Sequence, residues 1–229
     1  MSRPELVVDW CSYEAAKYAV EHWHYSRILP YGKLAKLGVW EDGVFIGVII
    51  FSYGATPQIG SPYGLTQYEI CELTRVAMRE HRTPVTQSIG RSIGMLKGQS
   101  PGLRLIVSFA DTEQGHLGII YQASNWVYAG TTKAGRVGFV VNGKKMHTRS
   151  VGAKPGGIQS LEWVRANLDA AAIEWRGTPK HRYLYPLGRA MRRQIAPLAK
   201  PYPKRGPGVQ GDTPDVQSGG PGSSPGVRL

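Results

Sequence analysis

Residues 72–126, ELTRVAMREHRTPVTQSIGRSIGMLKGQSPGLRLIVSFADTEQGHLGIIYQASNW, decide the fold. They read as strand, loop, helix, strand, polar turn, helix. The first strand spans Ile70 to Met78 and is largely apolar, with Arg75 and Val76 inside it. The loop carries His81, Arg82, Thr83 and Pro84. A helix follows from Val85 to Lys97, its N-terminus packed with Thr86, Gln87, Ser88 and Gly90. The apolar run Leu103 to Ala110 has the length of a buried strand and contains Ser108. It ends at Asp111, where the chain turns through Thr112 to His116 into a short helix, Leu117 to Ser124. In an α/β sheet, ligands sit at the carboxyl ends of strands. Here those ends carry hydroxyls, a guanidinium and a carboxylate together.

Working outward, Ser12 to Tyr25 reads as an amphipathic helix with Ala15, Ala16, Val20 and Trp23 on its buried side. Lys36–Trp40 and Val44–Tyr53 read as a hairpin turned at Glu41, Asp42 and Gly43. Thr56 to Thr66 is a Gly/Pro-rich loop. Downstream, Trp126 to Gly130 is a strand and Phe139 to Arg149 a second hairpin, turned at Asn142-Gly143. Ser160 to Trp175 reads as a helix capped by Ser160, with Leu161, Val164, Leu168, Ala171 or Ala172, and Trp175 at three- and four-residue spacing. The pattern predicts an α/β protein with a central mixed sheet flanked by helices. Residues 1–197 form one domain, and residues 198–229 form a Pro/Gly/Ser-rich tail too poor in apolar groups to order itself.

The chain of 229 residues is 41% hydrophobic and carries a net charge of +12. That excess points to a polyanion as partner, with simple solubility as the plainer alternative. The charge is concentrated. Lys180 to Arg205 has no acidic residue and interleaves Lys180, Arg182, Arg189, Arg192 and Arg193 with Tyr183, Tyr185 and Tyr202. Cations neutralise phosphates and rings stack on exposed bases, so this segment is the candidate DNA-binding element. The competing reading makes Tyr183 to Tyr185 a last edge strand and leaves only the later arginines free. Cys11 and Cys71 have neither metal spacing nor a disulfide framework. With no membrane-length apolar run and no signal-peptide core, a cytoplasmic protein is expected.

The element order resembles that of the acyl-CoA N-acyltransferase (GNAT) fold. There a central strand and the N-terminus of the next helix hold the coenzyme A pyrophosphate on helix-end amides. The loop HRTPVTQSIGRSIG departs from the usual Gln or Arg followed by Gly-x-Gly or Gly-x-Ala, which implies a different phosphate cradle. Three segments are more specific: HYSR at His24–Arg27, ELTRVAM at Glu72–Met78, and VSFADTEQGHLGIIYQASNWVYAG at Val107–Gly130. Together with KHRYLYPL at Lys180–Leu187 they resemble the Mom family of phage DNA-modification proteins.

The resemblance implies a phage-encoded enzyme, acting in the bacterial host cytoplasm, that carbamoylmethylates the N6 amine of adenine and so protects phage DNA from restriction. It brings with it acetyl-CoA or another acyl-CoA and, for at least one family member, bound iron. Plain acyl transfer would give an amide rather than the alkyl linkage, so extra chemistry is implied. On this basis Asp111 and Tyr121 handle protons, Ser108 and Ser124 orient the donor or the base, and Tyr25 joins the catalytic set. Arg75, Val76, Arg82, Ser88, Gly90 and Arg91 are the cofactor-binding candidates, and any of the three arginines could instead bind phosphate of the DNA. Asn125 lies at the cofactor or against the adenine edge. His24 and Tyr25 are the candidate iron ligands. The plainer readings are an Asx cap for Asp111, a core tyrosine for Tyr121, a solvated loop charge for Arg82 and hydrogen-bonded structural histidines. Two other functions fit the same pattern: a conventional GNAT acetylating a protein or small-molecule amine, and a non-catalytic DNA-binding protein. Oligomeric state, a homodimer included, is left open.

Overall fold

The computed structural model describes residues 2–204. The chain enters through β1 (Leu6–Trp10), a five-residue strand too short to stand out in the sequence. Helix α1 (Tyr13–Trp23) starts where the Ser12 hydroxyl accepts the Ala15 N–H, and it buries Ala16, Ala19 and Val20. Strands β2 (Leu34–Glu41) and β3 (Val44–Ser52) form the expected hairpin. Asp42 and Gly43 take φ of 50° and 78°, the left-handed pair of a two-residue turn whose twist matches the strands. Then come β4 (Ile70–Met78), α2 (Val85–Gln99), β5 (Leu105–Asp111), α3 (Ile119–Gln122) and β6 (Val127–Thr131). A smaller unit follows: β7 (Arg136–Val141), β8 (Lys144–His147), α4 (Thr148–Gly152), α5 (Leu161–Asn167) and β9 (Ile173–Arg176). The chain returns through β10 (Lys180–Pro186) and ends its regular structure with α6 (Arg189–Ile195).

The main sheet runs β1-β2-β3-β4-β5-β10-β6, with β4–β5 its one parallel pair among the described residues. Helices α2 and α3 cover one face, where Ile89, Ile93 and Leu96 pack with Phe51, Leu73 and Ile106. The opposite face is covered in two halves. Helix α1 lies over Val48, Ile50 and Ala77. Helix α6 and the 3-10 turn Pro57–Tyr63 lie over Ile70, Leu105 and Leu184. No described helix is long and apolar enough to cross a membrane.

Three expectations change. The helix over Ser160–Trp175 stops at Asn167. The Asp169 carboxylate accepts the N–H groups of Asn142 and Ala171, and this local hydrogen bonding reverses the chain. Ile173–Arg176 then pairs with β7. Tyr183 to Tyr185 do form a strand, but an interior one, β10 pairing antiparallel with β5 on one side and β6 on the other, and Tyr183 is fully buried, so it cannot stack on a base as expected. Residues assigned to the tail also dock: Lys200 N–H reaches the Tyr128 carbonyl and the Tyr202 hydroxyl reaches the Trp126 carbonyl, lining the β6 edge. Residues 205–229 lie outside the described residues.

The small sheet β8-β7-β9 has a core of its own, built from Phe139, Val141, Val151, Val164 and Ala172. Phe139→Ala should cost about 3–5 kcal/mol within that unit. Amide exchange in β7–β9 should then accelerate well before exchange in β2–β4. Equal acceleration across both sheets would show that the two cores unfold as one.

Candidate active site

The site begins where the parallel pair comes apart. β4 and β5 share register only at Ile70–Leu105, Cys71–Ile106 and Glu72–Val107, although both strands continue. The register with β3 slips between Ile50 and Phe51, leaving Thr74 as an extra residue in β4. A bulge of this kind bends its strand and increases its twist, which turns the far half of β4 away from β5.

The opening is closed at its root by side chains. The Ser108 hydroxyl lies 2.7 Å from the Leu73 carbonyl and 2.8 Å from the Tyr121 hydroxyl. A carbonyl can only accept, so Ser108 donates to Leu73 and Tyr121 donates to Ser108. Tyr121 is buried against Trp126 and Tyr183, with ring centroids 5.0 and 5.2 Å away. Burial pushes its pKa up to about 12, against the opposing pull of Ser108. The phenol therefore keeps its proton and can serve as a donor. Gly118, with φ of 73°, starts α3 directly against the Tyr183 ring, where a Cβ would collide.

A polar cluster lies near the same opening. Burial lowers the Arg75 pKa, and Tyr25, Glu72 and Tyr121 are its electrostatic neighbours. Its guanidinium donates to the Thr74 carbonyl at 2.8 Å and the Ile28 carbonyl at 3.4 Å. His24 and Tyr25, at the end of α1, place their rings 4.3 Å apart, and His116 meets Tyr25 edge-on at 5.2 Å. Burial, with the nearby Arg75 charge and His116, drops the His24 pKa to about 3. His24 is therefore a neutral imidazole at physiological pH, with Nδ1 2.8 Å from the Ser26 hydroxyl. Glu72 belongs to this cluster. Its position in an apolar strand hid it in the sequence.

Asp111 sits apart from the Tyr121 pair. Ser108 and Asp111 are three residues apart on one extended strand, so their side chains leave opposite faces. Asp111 is ion-paired with Lys180 at 3.0 Å and caps the next turn by accepting the Glu113 N–H. Ser124 donates to the Ile120 carbonyl and, with Thr86, Gly90 and Trp126, lines a cavity of about 240 Å³ between α2 and α3. Asn125, with φ of 58°, is exposed in the turn after α3.

The arm of a thioester cofactor suits the parted strands and this cavity. Trp126, whose buried indole N–H has no hydrogen-bond partner, lines the cavity; the hydroxyls of Ser88 and Ser92 in α2 are also buried without partners but do not line it. The phosphate end fits less well. The Glu41 carboxylate already accepts the N–H groups of Arg82 (3.0 Å) and Thr83 (2.7 Å) in the loop before α2. The Arg82 side chain is ion-paired to Glu41 and Asp42, and Arg91 donates to the Leu6 carbonyl. The two arginines flanking the expected phosphate loop are thus held by their own chain, and Arg75 likewise donates to the Thr74 and Ile28 carbonyls. The first turn of α2, which carries no side-chain cap, is what remains for an anion.

Of the basic segment, Lys180 is committed to Asp111, and Arg182 points into the protein to donate to the Ala129 carbonyl. Arg189, Arg192 and Arg193 are exposed on α6, whose Met191 and Ile195 are buried. For iron, no group of three or more His, Cys, Asp or Glu side chains able to hold a metal gathers among the described residues.

The mixed α/β sheet is opened between its two parallel strands, with a buried tyrosine at the root of the opening. The chain belongs to the Mom protein family, whose model matches residues 5–204. It is 26% identical over 207 residues to methylcarbamoylase mom of Escherichia phage Mu, covering 87% of this chain and 84% of that protein. Among solved structures it resembles the N-acyl amino acid synthase FeeM from uncultured soil microbes. That match has a TM-score of 0.46 at 11% identity and covers 85% of this chain and 97% of the other. An aminoglycoside acetyltransferase solved with coenzyme A and kanamycin gives a TM-score of 0.46 at 9% identity, covering 84% and 99%.

Burial alone would raise the Glu41 pKa. The hydrogen bonds from Thr83 and Arg82 and the Arg82 charge overcome that and hold it at about 2, below the ordinary 4.5. This contribution is present above pH 4.5 and is lost as pH falls toward 2. Glu41→Gln should lower stability by about 2 kcal/mol at neutral pH, because hydrogen bonds to a charged group are removed. It should also flatten the acid limb in urea denaturation across that window. An unchanged acid limb would show that the loop holds without this anion.

Proposed function

We propose that the chain is a DNA-modifying transferase acting on the exocyclic N6 amine of adenine, adding a carbamoylmethyl or related group that shields phage DNA from restriction. Membership of the Mom family and similarity to a protein named methylcarbamoylase support this reading. So does the net charge of +12. The observation that carries it is the opening between β4 and β5 with the buried Tyr121–Ser108–Leu73 relay at its root.

The N6 lone pair is delocalised into the purine ring. As the new N–C bond forms, an N–H bond must break and its proton must be taken. The base also has to leave the duplex or be met where the duplex is open. In this reading Asp111, kept beside Lys180 on one face of β5, accepts the proton of the amine. Tyr121, on the other face, offers its proton to the departing group, and the Arg75 charge steadies negative charge near the opening. Thr86, Gly90, Ser124 and Trp126 would hold an acyl-CoA donor, whose thioester would supply an activated acyl carbon and whose thiol would leave; this accounts for an N6-acyl group, and the carbamoylmethyl linkage needs a nitrogen donor and an alkylating step beyond it. Arg189, Arg192 and Arg193 grip the DNA backbone.

Tyr121→Phe and Asp111→Asn should each lower modified adenine in co-expressed plasmid by about 10²-fold or more, measured by nucleoside mass spectrometry. Undiminished modification by both variants refutes these roles. Neutralising Arg189, Arg192 and Arg193 together should weaken DNA binding. It should also reduce the slope of log K against log salt by roughly 0.9 for each phosphate left without its cation. An unchanged slope moves the backbone grip elsewhere.

A further inference from the structure

The small sheet carries a feature that the transfer chemistry does not use. Its strands lie in the order β8-β7-β9, with Gly138 of β7 paired to His147 on one side and to Trp175 on the other. Phe139, the next residue, is buried under α4 and α5. By strand alternation His147, Gly138 and Trp175 therefore form a row on the face turned away from those helices. Gly138 has no side chain, so the two rings meet across it edge-on at 5.2 Å. Lys145 lies on the same face, its Nζ 4.8 Å from the centre of the Trp175 ring. Ile173, 56% exposed, flanks it. His147 and Lys145 are exposed, and Trp175 is half-buried. Lys145 also reaches Glu113 at 3.4 Å, in the turn directly after Asp111. The shelf is thus fastened to the carboxyl end of β5.

The geometry points to this shelf as the seat of an unpaired base of a DNA strand, stacked on Trp175 with its phosphate near Lys145. The assignment rests on the proposed DNA reading and adds where the open strand lies. Charge favours nucleic acid: residues 132–179 hold eight lysines and arginines against three acidic residues. A half-buried ring with a cation beside it suits a base whose own face is bare, and in a duplex those faces are covered. The location fits as well, since an extruded adenine must be held next to the turn that follows Asp111. Two strands of ordered backbone carry the rings, so little is lost in fixing them on binding.

The test uses the full chain and an oligonucleotide with 2-aminopurine in an unpaired stretch, followed by anisotropy and by the fluorescence of the base. Wild type should bind the unpaired site more tightly than matched duplex and quench 2-aminopurine. Trp175→Ala should weaken binding roughly 5- to 150-fold, the range supplied by one stacked base, and abolish quenching. Trp175→Phe should restore binding to within a few-fold, and Lys145→Gln should weaken it while reducing the salt dependence. Should Trp175→Ala disturb the small sheet, quenching by wild type and the behaviour of Trp175→Phe and Lys145→Gln still decide the matter. If wild type binds DNA but does not quench, or binds no better than Trp175→Ala and Lys145→Gln, the shelf is overturned and the DNA reading stands. If wild type binds no DNA at all, both fall.

Discussion

Where β4 and β5 part, the carbonyl of Leu73 would face the interior without a strand partner. A buried acceptor left in that state costs about 1–3 kcal/mol. Ser108 supplies the missing donor, and in doing so its oxygen becomes free to accept from Tyr121. One small hydroxyl therefore stabilises the parted strands and orients the phenol of α3. An alanine there would leave both neighbours unpaired, and a larger side chain would force the strands further apart. The aromatic wall of Tyr121, Trp126 and Tyr183 packs onto this relay and keeps it dry. In a dry setting the phenol holds its proton, which is why the same interaction governs both packing and the available chemistry.

A chain of such positive charge has to direct its cations, and several of them are spent internally. Arg82 closes on Glu41 and Asp42, Lys180 on Asp111, and Arg104 on Glu69. These pairs fix loops and strand ends more than they add stability, because most are partly exposed and screened. Glu41 is the exception: it is buried and accepts two backbone N–H groups. It plays the part that a bound anion would play at the loop before α2, so that loop is shaped before any ligand arrives. The outer side of α6 carries three exposed arginines, Arg189, Arg192 and Arg193.

Much of the scaffold was legible because its signals are local. The Asp42-Gly43 and Asn142-Gly143 turns announce hairpins through left-handed residues, and the structure has both. The apolar runs of β4 and β5 declared themselves by length. The reading failed where the deciding interaction lies far away in sequence. Trp175 keeps helical spacing with Val164 and Leu168, yet a carboxylate at Asp169 turns the chain and β7 captures the segment as a strand. The interior place of β10 depends on partners more than 50 residues earlier, which no window of sequence contains. Within the site, Tyr121 and Ser108 could be named from their segments and are in contact. The separation of Asp111 from them follows from strand parity, which the sequence carries but which matters only once Ser108 is known to face α3. Glu72 was concealed by its apolar neighbours.

The return of the chain through β10 also explains why the small sheet stands where it does. The connection from β6 to β10 leaves and re-enters at the same end of the main sheet, since Thr131 pairs with His181 and Lys180 with Asp111. Everything between those strands must hang beside the carboxyl end of β5. A connection of that length could have been a bare loop, but its ordering entropy would then have to be met again for each substrate. Folded around Phe139 and Val164, it presents His147, Lys145 and Trp175 on rigid strands. A site that must hold an extruded base beside a reacting centre needs a surface of that kind, because a misplacement of about 1 Å can cost 10²-fold in rate. The same insertion therefore carries a rigid aromatic shelf fastened through Lys145 to the turn after Asp111.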